Sequence, residues 1–516
     1  MHHFNKIPLL LCFSCIFTFL MVQDVNAMYR HNIVIDEYID LKGNTFKIQP
    51  GQKLIFKKNG CLMNGIVEGE MTDVSAGKKH IFQNIILKGS FTAEKAYSDW
   101  FDIIPDCKLD DKYRYISGTD NTQGFRNLFL FKSVVVEPGT YFISGDLSCM
   151  PSQEIEGNGA TIKCLNKGIC VSISSDGDSP ISDVTLYNLN LVGSKPDYND
   201  KTEYWHGINI SYAENITIEC VNISYCRGDG IYIGGLQKEE GDNRISKDIR
   251  LKNVKCLKNY RQGMSITRGK NIYVEGSSFS GTSGTLPYCG VDIEPNISLK
   301  TGVFNECENI IFSKCIFEDN DNPGLMISAK NYNSGAYDKM IKNIVVEDCT
   351  FRNNDICVYG VNGLTIRNCS LGNGEIRMTA YGRIQDVTLD GVKVEFNRQN
   401  HACGFQLALL EQPCRNISVA NFEASNCGIF GLYVTRGRLT DNGKPMFLLD
   451  GLILKNIKIS HCANSIFVSE NVKNATYEGV TILNNGIDQS GNRMISKYGQ
   501  NFFFEKLDDK NTRIER

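Results

Sequence analysis

From about residue 180 the chain repeats one short phrase, an Asn, Asp or Gly followed by residues that alternate apolar and polar. The phrase begins at Asp183, Asn215, Asp248, Asn271, Asn309, Asn343, Gly363, Asp386, Asn416, Gly451 and Asn474, eleven times at intervals of 20 to 38 residues. The alternation has period two and its apolar residues are mostly Ile, Val, Leu and Phe, which predicts strands. Helical repeats are more regular in length and richer in Ala, Leu and Glu. One residue into each copy stand Val184, Ile216, Ile249, Ile272, Ile310, Ile344, Leu364, Val387, Ile417 and Leu452, and eight residues in stand Phe279, Phe317 and Phe351 of three successive copies. Equivalent inward positions stacked coil on coil are what a parallel β-helix requires, since neighbouring strands lie about 4.8 Å apart. A second strand follows in most copies, entered through Gly207, Gly230, Gly263, Gly290, Gly324, Gly404 and Gly431. The expected fold is all-β, a single-stranded right-handed parallel β-helix with N-terminal capping strands. Residues 28–95 form the cap and 96–516 the β-helix with a C-terminal cap, the regular coils running from about 135 to 485.

Residues 1–27 are expected to be a signal peptide. Lys6 precedes an apolar run from Ile7 to Val22, and Val25-Asn26-Ala27 offers small residues at the cleavage positions. No later stretch is long and apolar enough to span a membrane, so the expected product is exported to the periplasm, cell surface or medium of a bacterium. The 516 residues would ordinarily suggest several domains, but in a solenoid each repeat packs only on its neighbours and the core grows lengthwise. A formal net charge of −3 without a block of like charge argues against nucleic acid as a partner.

Of the twenty cysteines eighteen lie beyond the expected signal peptide, and that many in an exported chain invite a disulfide framework. Their placement points elsewhere. Six residues into successive copies, Cys315, Cys349 and Cys369 share a column with Leu189, Val221, Val254, Ser277, Val392, Phe422 and Ile457. Cysteine there behaves as a small buried hydrophobe, and these three are expected to form an internal column of free thiols. Cys226, Cys427 and Cys462 share a turn position before the second strand, and no Cys/His spacing suggests zinc. Asp319-Asn320-Asp321-Asn322 has the composition of a calcium loop without its ligand spacing, and reads as a turn. Five Asn-x-Ser/Thr matches arise mostly from the repeat phrase and do not mark glycosylation.

Three stretches carry a family resemblance. Pro50-Gly51-Gln52-Lys53-Leu54-Ile55-Phe56 followed by Asn64-Gly65 resembles the capping strands of exported bacterial β-helix proteins. Ser98-Asp99-Trp100-Phe101 resembles the Pro-Glu-Trp-Phe-Gly phrase of the pectin-lyase-like superfamily, which includes pectate lyases and polygalacturonases. Val136-Glu137-Pro138-Gly139-Thr140-Tyr141 with Glu156-Gly157-Asn158-Gly159-Ala160-Thr161 resembles that group's first coil. The resemblance implies the fold and a polysaccharide or oligosaccharide partner. It does not imply pectin, because the Gly-Asp-Gly after Trp-Phe-Gly is replaced by Asp102-Ile103-Ile104-Pro105 and the polygalacturonase and pectate-lyase site phrases are absent. The reaction therefore has to be argued from the site.

Extra chain leaves the coils at 193–206, 235–247, 280–289, 296–308, 329–342, 395–403 and 436–449. Insertions gathered on one side of a solenoid usually build its binding face. On the second strands the residue after Gly-Ile points inward and the next outward, so Asn209, Tyr232, Ser265 and Asp292 share a face, with Thr267 and Glu294 two residues further along. Trp205, His206, Arg227, Asp229, Tyr260, Arg261 and Arg268 flank them. Aromatics, arginines and acids on one wall suit sugar binding, with substrate contacts expected from Trp205, His206, Tyr232, Tyr260, Arg261 and Arg268. Asp292, Glu294 and Asp229 are the candidate catalytic acids. Two coils separate Asp229 from Asp292, roughly 9.6 Å along the axis, and Asp292 and Glu294 are roughly 6.5–7 Å apart on one strand. Both fall near the roughly 6.5–9.5 Å of inverting glycosidases. The expected activity is glycoside hydrolysis without a cofactor. The alternative is a polysaccharide lyase, in which Arg261 or Arg268 neutralises a uronate and His206 or Tyr260 takes the proton, with calcium as the cofactor it could use. A non-catalytic carbohydrate-binding or surface β-helix is the third.

Overall fold

The computed structural model describes residues 32–236, 244–295, 305–328, 340–400, 402–435, 437, 439–443, 446–469, 471–483, 485 and 513–515. The expected signal peptide lies outside them, as do the tips of several expected loops (237–243, 296–304, 329–339) and most of the expected C-terminal cap. No helix of the described residues is long and apolar enough to cross a membrane.

The chain divides into two compact units. One holds the described residues up to Ile103 together with Gln123–Glu137, and the expected cap, 28–95, falls within it. Its centre is the 15-residue strand Cys61–Ser75, which pairs in parallel with Tyr38–Asp40, Thr45–Lys47 and Lys53–Phe56 on one edge and with Phe82–Thr92 on the other. Phe82 packs between Phe56 and Phe101, with ring centroids 5.1 and 5.4 Å away. Trp100, in the short 3-10 turn Ser98–Trp100, is buried and donates its indole N–H to Gly77 O at 3.0 Å.

The other unit, Ile104–Thr122 and Pro138 onward, is the parallel β-helix. Each repeat phrase supplies one strand of a long parallel stack, for example Ala213–Glu219, Ser246–Lys252, Gly269–Glu275, Cys307–Ser313 and Ile341–Glu347. They pair in register, Ile216 on Ile249 on Ile272 on Ile310 on Ile344, and all five are fully buried. Phe279, Phe317 and Phe351 stack at 5.6 and 4.4 Å. Each such buried apolar side chain is worth about 1.5–3 kcal/mol.

The first residue of the phrase explains itself in the backbone. The Asp and Asn residues at that position have φ between 52° and 60°, and Gly363 and Gly451 have φ of 84° and 83°. Asn, Asp and Gly are the residues that visit this left-handed region at least cost. The Asn side chains then bond from coil to coil: Asn271 Nδ2 donates to Asp248 Oδ1 at 2.9 Å, and Asn309 and Asn343 each donate to the Asn below at 3.0 Å.

The second strands form a separate parallel sheet. It runs Leu147–Ser148, Val171–Ser174, Ile208–Ser211, Ile231–Gly234, Met264–Ile266, Val291–Ile293, Leu325–Ile327, Ile356–Val358, Ile376–Thr379, Phe405–Ala408, Phe430–Thr435 and Asn464–Val468. The cysteines among the described residues carry no disulfide, and all but Cys149 and Cys220 are buried. Cys315, Cys349 and Cys369 stack as a column, their thiols donating to Val274 O, Phe312 O and Val346 O at 3.5–3.6 Å. Asp319–Asn322 is a turn whose Asn320 is buried and donates to Phe279 O and Asn354 Oδ1.

Candidate active site

The second sheet brings Asn209, Tyr232, Ser265, Asp292 and Met326 into register on successive coils. Beside them the segment 193–206 crosses back over the coils, held by one buried and one half-buried cation, Lys163 and Lys195. Lys163 is fully buried, donates to Gly193 O at 2.7 Å and pairs with Asp197 at 2.6 Å, while Asp197 Oδ1 also accepts the Tyr115 N–H at 2.8 Å. Lys195 Nζ donates to Lys258 O, Asn259 O and Ser283 O at 2.7–3.2 Å. Burial lowers the Lys195 pKa to about 8. Arg227 closes the arrangement by donating to the carbonyls of Lys195, Tyr198 and Asp200. The pinned segment delivers Glu203, Tyr204 and His206 to the edge of the sheet. Together with Tyr232, Arg261, Ser265, Thr267, Asp292 and Glu294 they line a cleft of about 230 Å³.

Asp292 is 2 % exposed, so the outward position is not a surface position. Its Oδ2 accepts a hydrogen bond from Gln262 Nε2 at 3.0 Å, Oδ1 is buried and accepts none among the described residues, and a side-chain hydrogen bond joins the carboxyl to Glu294, closer than the separation expected of an inverting pair. Burial, and after it the negative charge of Glu294, holds the Asp292 carboxyl well above the usual carboxylate range, with Arg261 opposing. A carboxyl so placed gives up its proton less readily than an exposed one. Glu294 is half-buried at the end of the same strand and faces the same cleft.

Asp229 differs from the expectation. It is fully buried and does not line the cleft. Arg261 Nη1 donates to both its oxygens at 3.2 Å, and to Ser265 Oγ at 3.3 Å. Its charge is therefore matched by Arg261, and its Oδ2 also lies 3.5 Å from His206 Nδ1. The backbone N–H of Asp229 donates to His206 Nδ1 at 3.1 Å, which makes Nδ1 the acceptor and puts the imidazole proton on Nε2. Burial also holds the His206 pKa below its ordinary value, favouring that neutral form. The imidazole stacks on Tyr232 at 5.0 Å, and the Tyr232 hydroxyl is 2.8 Å from Thr267 Oγ1.

Three expected substrate contacts lie away from the cleft lining. The Trp205 ring meets Tyr198 at 5.9 Å, with Lys167 above it at 5.8 Å. Tyr260 is covered by the Arg227 guanidinium at 4.3 Å. Arg268 is buried and donates to Leu236 O at 2.6 Å. Each is occupied in tying a turn or segment to the coils. Conversely, Glu203, Tyr204 and Gln262 carried no signal in the alternation pattern, because two lie in the crossing segment and the third in a turn. Among the described residues no group of three or more His, Cys, Asp or Glu side chains is placed to hold a metal ion.

Residues 167–375 match the family model of the right handed beta helix region. The chain is a right-handed parallel β-helix, in keeping with its resemblance to the pectin-lyase-like superfamily. It is 24 % identical over 324 residues to the SPbeta prophage-derived protein YorA of Bacillus subtilis (strain 168), covering 61 % of this chain and 44 % of YorA. With protein YclG of the same organism it shares 28 % identity over 182 residues, 34 % of this chain and 29 % of YclG. The chain thus spans less than half the length of these relatives. Among solved structures it is similar to PfbA, a surface adhesin of Streptococcus pneumoniae, at a TM-score of 0.50 and 12 % identity, over 75 % of this chain and 91 % of that one. That likeness shows the fold.

Proposed function

We propose that the chain is an exported carbohydrate-active enzyme, a glycoside hydrolase that cleaves a complex polysaccharide with Asp292 as general acid. The observation that carries this reading is the buried carboxyl of Asp292, its ionisation disfavoured by burial, in a cleft lined by hydroxyls, aromatics and two further acids, Glu203 and Glu294. Asp292 gives its proton to the glycosidic oxygen as the bond to the anomeric carbon breaks. Glu294, which shares a hydrogen bond with the Asp292 carboxyl, faces the positive charge that develops there and takes the proton of the water that replaces the leaving group. Asp229 has no part in the bond-breaking step, since Arg261 already occupies both its oxygens.

The same pairing weighs against a lyase. Elimination from a uronate needs a cation free to neutralise its carboxylate, and Arg261, the cation lining the cleft, is matched by Asp229.

The test is a screen of plant, algal and host glycans scored both for new reducing ends and for unsaturated uronate absorbance. Reducing ends without absorbance are expected. On the glycan so identified, Asp292→Asn should lower kcat by about 10²- to 10⁴-fold, the usual contribution of a positioned acid or base. Unsaturated products would establish a lyase, and binding without any product would establish a carbohydrate-binding protein.

A further inference from the structure

Asp292 is the acid in the reading above, but the residue that governs it lies one coil away. Gln262 is fully buried in the turn before Met264–Ile266. Its Oε1 accepts the backbone N–H of Cys289 at 2.9 Å, and its Nε2 donates to Asp292 Oδ2 at 3.0 Å. The amide can sit only this way round, because turning it over would set its NH2 against the Cys289 N–H and its oxygen against the carboxyl. Resting on the reading of Asp292 as proton donor, we propose that Gln262 is its positioning residue: by fixing Oδ2 as the hydrogen-bonded carbonyl oxygen, it assigns the transferable proton to Oδ1.

The chemistry follows from what each oxygen faces. A carboxylic acid accepts hydrogen bonds best at its carbonyl oxygen, so a fixed donor on Oδ2 makes Oδ1 the hydroxyl. Oδ1 is the oxygen with no hydrogen-bond partner among the described residues. Until a ligand oxygen reaches it, the acceptor at hand for the Asp292 proton is Glu294, whose side chain hydrogen-bonds the same carboxyl. The groups that bear on its titration are Glu294 from the same strand, Arg261 and Asp229 from the turns of preceding coils, and the Cys289 and Cys307 thiols. His206 and Tyr232 complete the wall. Gln262 adds a hydrogen bond from a neutral donor, beside the side-chain hydrogen bond between Asp292 and Glu294. A donor to a carboxyl favours the ionised form over the neutral one, so its removal should raise the pH at which Asp292 ionises.

The experiment is difference infrared spectroscopy of the whole protein through a pH titration, with Asp292→Asn as the subtraction. Wild type should show a carboxylic-acid C=O band at neutral pH that Asp292→Asn lacks. In Gln262→Met, which fills similar space without a donor, that band should move to higher frequency, because its carbonyl has lost a hydrogen bond. It should also persist about one pH unit higher, and the alkaline limb of the kcat profile should rise with it. A merely structural glutamine would shift neither. An unmoved band in Gln262→Met would overturn the assignment of the proton, leaving Asp292 as acid. Absence of the band from wild type would instead overturn Asp292 as a proton donor at neutral pH. Should Gln262→Met not fold, the side-chain amide protons of Gln262 in labelled wild type report the same contact. They should shift as Asp292 ionises and stay still in Asp292→Asn, and stillness in wild type would refute the proposal.

Discussion

At the scale of single residues, the cleft shows the difference between direction and depth. The alternation along each second strand correctly orders Asn209, Tyr232, Ser265 and Asp292 on one face, because successive side chains of a strand must point to opposite sides. It says nothing of what covers that face. Ser265 and Asp292 are each 2 % exposed, and the residues that cover or pair with them come from turns and from the segment 193–206, where no periodicity operates. Burial changes what Asp292→Asn should do to stability. The raised Asp292 pKa means that, from about pH 4 upward, the folded chain binds a proton that the unfolded chain has released. That contribution to stability is complete at low pH and is lost as pH rises toward the folded value. Asparagine does not titrate, so the melting temperature of Asp292→Asn relative to wild type should climb between pH 4 and pH 7. A constant difference across that range would show an ordinarily ionised carboxylate.

At the scale of the element, the repeat phrase was readable because two constraints coincide on it. Period-two alternation marks the strand, and the Asn, Asp or Gly before it marks a left-handed residue that bends the chain into it. Asn309 tests the second constraint. Its φ is 56°, its amide donates to Asn271 and its carbonyl oxygen accepts from Asn343. Asn309→Ala keeps the strand but forces a Cβ-bearing residue without a local partner into the left-handed region, at about 1–2 kcal/mol. Asn309→Gly removes that strain and loses only the side-chain bonds. Denaturant unfolding should therefore rank wild type above Gly above Ala, and Ala equal to Gly would mean that the bonds, not the backbone, matter. The crossing segment was not readable in the same way. Length variation marked 193–206 as an insertion, but what pins it are Lys163 and Lys195, whose acceptors lie 30 to 88 residues away. A lysine whose partners are that remote leaves no local pattern.

Over the whole molecule the interior is unusually rich in thiols. Burial raises the pKa of Cys107 to about 11 and those of Cys149, Cys357, Cys403 and Cys414 to about 12. In the unfolded chain each would ionise near pH 8.5. Above that pH the folded state holds protons that the unfolded state has lost, so stability falls with rising pH, and several thiols act in the same direction. Lys195 opposes them over part of the range, because burial lowers its pKa to about 8 and the folded chain gives up that proton before the unfolded chain does. One lysine against five thiols leaves the direction unchanged. The melting temperature should drop steeply from about pH 8.5 to about pH 11, and replacing Cys357 and Cys414 by Val should flatten the drop. An alkaline profile unchanged by those substitutions would count against the thiols. The in-register stacking has a different consequence, for descent. Because every coil presents the same edge above and below, the stack can gain or lose height only in full turns, however its loops vary in length, the shortest repeat here being the 20 residues from Asn343 to Gly363. A lineage could drop that turn and leave the cleft between Glu203 and Glu294 untouched. Losing the turn that carries Ser265 would instead bring Tyr232 and Asp292 one strand spacing closer, about 4.8 Å, and would remove Arg261 and Gln262 together. Downstream of the cleft, repeat number is free to drift; within it, the count of turns is itself an inherited character.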